Sequence, residues 1–380
     1  MDHAVAGIGA GMKDQLVDFA LIGHQESWRA TADVFAVLRG GDYPPVPDEE
    51  IMSIVPWIPP RAVCHVETRS LTGARAHGIY IDSFISPDRL GAAFMQENLR
   101  RVCGAAAYAI KAGAKIVSLG GFSSILIEGN FDLIPNRNTS VFTTGNTLTV
   151  AFIVRGVEKM FGLEGRDLGS ATGLIVGATG DVGSGCARFL APLVDRMILC
   201  ARNVERLRRL QSELEAAGTR VDLATNIDEL PACADLVVCA ASLPSPSLLL
   251  DHLAPEAIIC DAGYPKNLSP LGRKNGSKLF YGGLGQVTTG MNFEPDVGGV
   301  LNRHPFPNVV HGCLLEGMTL ALENRLEPFS KGRGFITPGR VEEMERMAAR
   351  HGIYLAPLHN ADGPIRNGHH CEPELMGRSA

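Results

Sequence analysis

The spacing of apolar residues along the chain predicts strands and helices from Phe19 onward. Short apolar runs between turn residues are typical of buried strands, whereas apolar residues at every third or fourth position are typical of helices. A proline cluster from Pro44 to Pro60 predicts a long connection. The elements expected in this first part are strands at Cys64–Thr68, Ala76–Asp82 and Lys115–Leu119 and a helix over Ser86–Ala112.

From Thr147 onward the pattern becomes a regular alternation of helices with strands. The first helix, Thr147–Phe161, is predicted to cross from one α/β region to another. Alternation of this kind implies a parallel sheet with right-handed crossovers. The strands expected in the second region are Leu174–Val176, Arg196–Ala201, Arg220–Ala224, Asp235–Ala241, Ala257–Asp261 and Lys278–Tyr281, and two helices, Val310–Arg325 and Arg340–His351, follow them.

A glycine-rich turn follows the first strand of the second region and opens a helix. It contains Gly177, Gly180 and Gly183 in the spacing G-x-x-G-x-x-G. The first glycine allows a tight turn, the second lets the backbone approach a pyrophosphate, and the third permits close packing of helix and strand. The amides at the start of the helix then face the phosphates. The segment therefore predicts dinucleotide binding.

The end of the next strand indicates which dinucleotide binds. Arg202 and Asn203 stand where an acidic residue would be expected for NAD, and Arg206 follows one helical turn later. An arginine there accommodates a 2′-phosphate, so NADPH is the expected cofactor. The candidate cofactor-binding residues are Gly177, Thr179, Gly180, Asp181, Val182, Gly183, Arg202, Asn203, Arg206, Ala241 and Ser242.

Composition narrows the class of protein. A length of 380 residues, 45% apolar content and a formal charge of −6 predict a globular protein of two or three domains without a nucleic-acid partner. The nine cysteines include no Cys-x-x-Cys pair, which predicts reduced thiols in a cytoplasmic protein and no metal site. No apolar stretch approaches the roughly 18 residues of a membrane span, so no transmembrane segment is expected.

Polar residues at the ends of predicted strands are candidates for chemistry, because open parallel sheets bind ligands beyond the carboxyl ends of their strands. Asp261, Tyr264 and Lys266 could orient a substrate or donate a proton. Segments 119–124 and 142–147 offer amides and hydroxyls for a substrate, although each is equally typical of a capped strand-to-helix turn. The candidate substrate-binding residues are Gly121, Phe122, Ser123, Ser124, Thr143, Thr144 and Asn146.

Cys313 is the cysteine with the most informative position, because it falls at the start of a predicted helix. The helix dipole and free amides at such a place lower the pKa of a thiol and favour the nucleophilic thiolate. His311 is close in sequence. An unpaired cysteine is equally typical of a small buried hydrophobe, so position alone leaves both roles open.

Together these segments resemble the long-chain acyl-[acyl-carrier-protein] reductase family, known best from cyanobacteria. The resemblance runs in family order from about Leu21 to Leu358. The chain departs from the family in its N-terminus, its proline-rich connection, its tail beyond Leu358, and Ala262, where the family has a glycine. The matching segments are Leu21–His24, Leu119–Ile125, Phe142–Thr147, Gly177–Gly183, Ala201–Asn203, Asp261–Leu268 and the helix around Cys313.

The resemblance implies a chemistry for these residues. In that family the cysteine that matches Cys313 takes the acyl group as a thioester, and NADPH then reduces it to an aldehyde. Cys313 is thereby implied to be the nucleophile, and the substrate a fatty acyl thioester. Acyl carrier protein is the expected carrier; coenzyme A as the carrier and a downstream aldehyde-consuming enzyme as a partner stay open.

The predicted fold class is α/β, with a doubly wound parallel sheet of the Rossmann type. Two other functions fit this layout. A shikimate-dehydrogenase-like oxidoreductase of a small hydroxy or keto acid needs no cysteine, and a non-catalytic NADP-responsive binding protein keeps the fold without turnover. The expected organisation is a flexible extension (1–20), an N-terminal α/β substrate domain (21–168) with the crossing helix (147–161), a Rossmann NADP-binding domain (169–285), and a C-terminal helical segment with a polar tail (286–380).

Overall fold

Two six-stranded sheets organise the chain in a computed structural model, which describes residues 17–40, 46–128, 130–226, 234–241, 256–264, 266, 268, 278–332, 334–366 and 369–370. The strands are β1 (Phe19–Gly23), β2 (Arg61–Arg69), β3 (Arg75–Asp82), β4 (Ile116–Leu119), β5 (Val141–Thr143), β6 (Thr172–Val176), β7 (Arg196–Cys200), β8 (Arg220–Ala224), β9 (Leu236–Cys239), β10 (Ile258–Asp261), β11 (Lys278–Tyr281), β12 (Leu284–Val287), β13 (Met291–Glu294), β14 (Val309–His311), β15 (Ile353–Leu355), β16 (His359–Asn360), β17 (Gly363–Arg366) and β18 (His369–His370).

Helices cover both sheets. The α-helices of the described residues are α1 (Trp28–Leu38), α2 (Asp48–Ile54), α3 (Met95–Lys111), α4 (Phe122–Ile127), α5 (Asn146–Leu163), α6 (Asp181–Leu190), α7 (Val204–Ala216), α8 (Gly298–Leu301), α9 (Gly312–Leu322) and α10 (Pro338–Arg350). Short 3-10 turns occupy Val55–Trp57, Pro87–Arg89, Ala92–Phe94, Phe131–Leu133, Arg137–Thr139, Leu168–Ser170 and Ala191–Leu193. No helix in the described part of the chain is long and apolar enough to cross a membrane.

The second sheet confirms the predicted parallel alternation. Its strand order is β8-β7-β6-β9-β10-β11, and every neighbouring pair is parallel. This is the doubly wound order, in which the direction of strand addition to the sheet reverses between β6 and β9. The fold class is therefore α/β, as predicted. The glycine-rich turn after β6 and the strand end of β7 lie beside that reversal, where such sheets bind ligands.

The first sheet is assembled from distant parts of the chain. In the order β13-β2-β3-β1-β4-β5, the strands from β3 to β5 are parallel, whereas β2 is antiparallel to β3. β13 comes after the whole second sheet in sequence, yet it pairs antiparallel with β2, with Met291 opposite Thr68. The segment after residue 286 was predicted to be helical. It also carries β13, β14 and β15, whose three or four residues each are too short to show an apolar period.

The predicted crossing helix is α5, which packs against α6, α9 and α10. Its residues are buried nearly all round, as expected for a helix between two sheets. Gly156 permits this close packing, because a Cβ there would lie 2.8 Å from the ring of Phe280 on β11. By contrast, the single helix predicted over Ser86–Ala112 is two 3-10 turns followed by α3.

Candidate active site

A cavity of about 680 Å³ lies where the ends of strands from both sheets meet. Most of the predicted site residues line it. Those that do are Gly121, Ser124, Thr144, Asn146, Gly177, Thr179, Gly180, Asp181, Val182, Arg202, Asn203, Arg206, Ala241, Tyr264 and Cys313. Phe122, Ser123, Thr143, Gly183, Asp261 and Lys266 are not among the lining residues, and Ser242 lies outside the described residues.

The glycine-rich turn has the geometry that its glycines predict. Gly177 adopts a left-handed φ of 83°, and a Cβ on it would lie 2.8 Å from the backbone of Ala240. A Cβ on Gly183 would lie 2.3 Å from the carbonyl oxygen of Gly177, so α6 packs directly against the turn. Gly180 is the N-cap of α6 and has no side chain to cover the first amides. The start of this helix therefore faces the cavity with free N–H groups.

The strand end after β7 presents positive charge to the cavity. Arg202 and Arg206 both line it and both are exposed. Asn203 has another task as well: its side-chain oxygen accepts a hydrogen bond of 3.0 Å from the backbone N–H of Arg206 and so caps α7. The cap fixes the start of the helix that carries Arg206.

A hydrogen bond connects the glycine-rich turn to the crossing helix. Asn146 Nδ2, at the start of α5, donates to Asp181 Oδ2 over 2.8 Å. The other oxygen, Oδ1, is buried and has no hydrogen-bond partner among the described residues. Burial raises the pKa of Asp181 to about 6. Asn146, predicted to bind substrate, lines the cavity, and one N–H of its amide connects α5 to the start of α6.

The sulfur of Cys313 lies at the N-terminus of α9 and faces the cavity. The backbone amides of Gly121 and Leu314 act to lower the pKa of this thiol. Burial nevertheless outweighs their effect and raises the pKa of the thiol to about 11. The prediction from the sequence that the pKa of the Cys313 thiol is lowered is therefore wrong. The helix start does supply the amides, but the loss of water around the sulfur has the larger effect.

The start of α9 packs against the start of α5 so closely that their backbones are in contact. A Cβ on Gly145 would lie 2.0 Å from the carbonyl oxygen of Cys313, and Gly145 has a left-handed φ of 70°. A Cβ on Gly312 would lie 2.8 Å from the backbone nitrogen of Thr149. Ser118 donates a hydrogen bond from its hydroxyl to the Cys313 carbonyl. These contacts fix the position of the sulfur.

A buried carboxylate stabilises the same junction. Glu316, one turn after Cys313, accepts hydrogen bonds from the hydroxyls of Thr143 and Ser330 and from the backbone N–H of Leu148. Burial raises the pKa of Glu316, while these bonds favour its charged form. Thr143 was predicted to bind substrate. In this structure its hydroxyl is buried in the network that joins α9 to α5, and Thr143 does not line the cavity.

The segment after β4 also differs from the prediction. Ser123 Oγ is buried without a partner among the described residues, and Phe122 packs in the core of the first sheet. Ser124 lines the cavity, but its hydroxyl donates to the Gly121 carbonyl over 2.9 Å. Of the groups predicted to bind substrate here, Gly121 and Ser124 line the cavity, and the Gly121 amide helps to lower the pKa of the Cys313 thiol.

Two histidines flank Tyr264 beside the sulfur. The Tyr264 ring lies edge-on to the rings of His24 and His311, at centroid distances of 5.2 and 5.4 Å, and its hydroxyl donates to the His24 carbonyl. His24 Nε2 accepts the Phe122 N–H over 3.0 Å, so Nδ1 carries the proton and donates to the Gln25 carbonyl. Burial lowers the pKa of His24 to about 4. His24 is thereby held as a neutral, fully bonded side chain.

Asp261 and Lys266 do not reach the cavity. The carboxylate of Asp261 is buried and accepts hydrogen bonds from the backbone N–H groups of Gly263 and Leu268. Lys266 Nζ lies 4.7 Å above the ring of Tyr281 and donates to the Asp261 carbonyl. In this structure the hydrogen bonds of Asp261 shape the turn after β10.

Comparison with known proteins identifies the family. A long-chain acyl-[acyl-carrier-protein] reductase from Synechococcus elongatus is 34% identical over 346 residues, which cover 88% of this chain and 98% of that protein. The chain belongs to the long-chain acyl-[acyl-carrier-protein] reductase family. The scan against family models found no match. Aminotransferase PigE from a Serratia species is 26% identical over 253 residues, which are 66% of this chain and 29% of that protein.

Solved structures give weaker likenesses to this acyl-[acyl-carrier-protein] reductase family member. Quinate dehydrogenase from Corynebacterium glutamicum has a TM-score of 0.36 at 17% identity and covers 70% of this chain and 88% of its own. A 5-ketofructose reductase from a Gluconobacter strain has a TM-score of 0.32 at 10% identity, with coverages of 87% and 99%.

Several residues that line the cavity of this reductase family member were missed as site candidates. His24 and Gln25 directly follow β1, so the same strand-end argument that selected Tyr264 could have found them. Glu128 follows the short helix α4, and Met291 and Phe293 lie on β13. No pattern in the sequence indicates that these three face the cavity, because their positions depend on how the segments pack.

Proposed function

We propose that the chain reduces a fatty acyl thioester to the aldehyde with NADPH, through a thioester formed on Cys313. The observation that carries the proposal is that the sulfur of Cys313 and the turn from Gly177 to Gly180 line one cavity. A nucleophile and a dinucleotide site are the two parts that such a reaction requires. Membership of the acyl-[acyl-carrier-protein] reductase family supports the substrate class.

The cavity fits NADPH by three features of the chain. Gly177 and Gly183 leave a backbone cradle that a Cβ would fill. The N-terminus of α6 directs free amides at the position of a pyrophosphate. Arg202 and Arg206 lie where a 2′-phosphate would be recognised. When bound, NADPH supplies the hydride for the reduction.

The preference for NADPH over NADH is expected to depend on Arg206. Replacing Arg206 with alanine should raise the Kd for NADPH by about 10- to 100-fold, because a charge-assisted hydrogen bond to phosphate is lost. The Kd for NADH, which lacks the 2′-phosphate, should stay the same. Arg208→Ala is the matched control, since Arg208 is exposed on the same helix and does not line the cavity. Fluorescence titration measures all four affinities, and equal losses for both nucleotides would contradict the assignment.

Acyl transfer is the step that the residues around Cys313 support. The sulfur forms a bond to the thioester carbonyl carbon, the bond from that carbon to the carrier sulfur breaks, and the thiol proton ends on the departing carrier sulfur. The amides of Gly121 and Leu314 stabilise negative charge on the Cys313 sulfur whenever it develops. Exchange of one thioester for another costs little free energy, so the acyl-enzyme is accessible.

An apolar part of the cavity can accept the acyl chain. It lies along strands of the first sheet, including β13, and is completed by residues of β14 and α8. A hydrocarbon chain buried there gains about 0.8 kcal/mol per methylene group. We propose acyl carrier protein as the carrier. The apolar lining residues are Leu21, Val66, Tyr80, Met291, Phe293, Leu301 and Val310.

The decisive experiment separates acylation from reduction. Purified protein is incubated with acyl thioesters of graded chain length, on acyl carrier protein and on coenzyme A, without NADPH. Intact-mass spectrometry should show one acyl adduct, and peptide mapping should locate it on Cys313. Adding NADPH should remove the adduct and release the aldehyde. Reduction of a thioester without any adduct on Cys313 would contradict the covalent route, and no reduction at all would contradict the function.

A further inference from the structure

A group of histidines beside the cavity has no part in the chemistry described so far. His311 lines the cavity two residues before Cys313, and His304 lies next to it, half-buried. His359 is buried and lies just beyond Leu358, where the sequence resemblance to the family ends. Among the described residues no group of histidine, cysteine and carboxylate side chains has the arrangement of a metal site. Imidazole rings exchange protons near neutral pH, so a histidine group beside a reactive cavity suits proton transfer.

The hydrogen bonds of the group fix where its protons are. His359 Nδ1 lies 2.9 Å from the Pro357 carbonyl oxygen, which can only accept, so Nδ1 of His359 carries a proton. Burial lowers the pKa of His359, so the ring is neutral and its Nε2 has a lone pair. His304 Nδ1 lies 3.1 Å from that Nε2 and must donate to it. Neutral His304 is thus left with an unprotonated Nε2 that can receive a proton.

His311 caps the start of α9 two residues before Cys313, and both residues line the same cavity. Its ring centroid lies 5.7 Å from that of His304, a separation that one water molecule can bridge. No hydrogen bond to the ring nitrogens of His311 is found within the described ranges. Burial, with smaller contributions from the nearby His304 and Lys266, lowers the pKa of His311 well below its ordinary value, so the ring is neutral at rest. The titratable groups around it are Tyr264, Cys313, His304, Lys266, His24 and His359.

We propose that His311 accepts the Cys313 thiol proton during acyl transfer, and that His304, oriented by His359, exchanges protons between His311 and solvent. The proposal rests on the proposed function. As the bond from sulfur to carbonyl carbon forms, the S–H bond breaks toward His311, which then protonates the departing carrier sulfur. When the aldehyde leaves, the bond from carbon to the Cys313 sulfur breaks, and the thiolate regains one proton by the same path. That proton is the one that reduction of a thioester to an aldehyde takes from solvent.

This arrangement suits a thiol that is protonated at rest. Burial opposes the thiolate, and burial together with Lys266 opposes the imidazolium, so the two charges appear together only while the new bond forms. A protonated thiol is also slow to oxidise or to be alkylated. The pair therefore keeps Cys313 unreactive until a thioester is bound next to it.

The test is the pH profile of Cys313 acylation without NADPH, measured by intact mass between pH 6 and pH 10. The wild-type rate should depend little on pH above pH 7. His311→Gln should be about 100-fold slower at pH 7, and its rate should rise about tenfold per pH unit as the thiolate fraction rises. His77→Gln is the matched control, a half-buried histidine on β3 that does not line the cavity. It should follow the wild type.

His304 and His359 are positioning residues in this proposal, and their variants guard against misfolding of His311→Gln. His304→Gln and His359→Gln should both slow acylation about threefold to tenfold at pH 7 and approach the wild-type rate by pH 10. A purely structural role would lower the rate equally at every pH. Wild-type profiles in His311→Gln, or pH-independent losses in all three variants, would overturn the relay and leave the proposed function intact. Failure of the wild type to form any adduct would instead overturn the proposed function.

Discussion

Cys313→Ser is expected to lower aldehyde formation by about 10³-fold or more while leaving NADPH binding unchanged. Serine keeps the size of the side chain, so α9 and the packing of Gly145 on its first turn should persist. The hydroxyl is a far weaker nucleophile than sulfur, and an ester is harder to exchange than a thioester. Aldehyde yield, NADPH titration and intact mass after incubation with an acyl thioester measure the three expectations.

Cys103→Ser is the matched control for this substitution. Cys103 is a half-buried thiol on α3 whose pKa is also raised by burial, and it does not line the cavity. Its serine variant should form the acyl adduct and the aldehyde at wild-type rates. If Cys313→Ser retained more than a tenth of the wild-type aldehyde yield and formed no acyl adduct, the chain would have to reduce the thioester without a covalent intermediate on this residue.

Gly145→Ala is expected to lower the rate of Cys313 acylation by about 100-fold, since small displacements of a reacting atom have effects of this size. A Cβ on Gly145 would overlap the carbonyl oxygen of Cys313 at 2.0 Å, and that oxygen belongs to backbone that cannot rotate away. Alanine is also strained at a φ of 70°. The free energy of unfolding should fall by about 3 kcal/mol. Denaturant melts and intact-mass kinetics measure the two effects.

Gly162→Ala separates this effect from a general effect of alanine in the same helix. Gly162 lies near the end of α5, a Cβ there would meet no atom within 4 Å, and its φ is not left-handed. The substitution should leave acylation unchanged and stabilise the helix by up to about 1 kcal/mol. Equal behaviour of the two alanine variants would show that the contact between Gly145 and Cys313 does not position the sulfur.

The resting state of Cys313 determines how activity should vary with pH. Because burial raises the pKa of this thiol to about 11, the sulfur is protonated throughout the neutral range. Because the fold opposes ionisation of this thiol, the thiolate fraction is small at neutral pH and grows as pH rises toward the pKa. Acylation that depended on free thiolate alone would therefore increase steadily with pH. A flat profile would require a group such as His311 to take the proton.

The elements that sequence patterns predicted best are those whose own residues define them. β6, β7 and β10 each contain an uninterrupted run of three or four apolar residues, and the glycine-rich turn needs its glycines for reasons local to the turn. Elements that depend on partners were missed. β13 is a strand because β2 offers it an unpaired edge, and α2 is a helix within a stretch whose prolines predicted only a connection. Neither carries a period of its own that the sequence could reveal.

The candidate site shows the same division at the level of side chains. Sequence reasoning selected residues that do line the cavity, among them Asp181, Arg206 and Cys313. It did not predict that the Thr143 hydroxyl donates a hydrogen bond to Glu316, or that the Asn146 amide donates one to Asp181. Such pairings join positions far apart in the chain, and the choice between a structural and a ligand-binding role depends on which polar group is nearest after packing.

The sequence by itself determined the alternation of strands and helices, the turn that suits a dinucleotide, and the resemblance to a family in which a cysteine matches Cys313. These features depend on the periodicity of apolar residues and on backbone conformations that favour glycine. Both are local properties, so residues close together in the sequence are enough to reveal them. Tertiary structure alone decided that β13 completes the first sheet, that the Cys313 thiol is protonated, and that His304 and His359 share a hydrogen bond. The physical reason is that desolvation and hydrogen-bond partners are set by atoms brought close through packing, and their distances in space are independent of their separation along the chain.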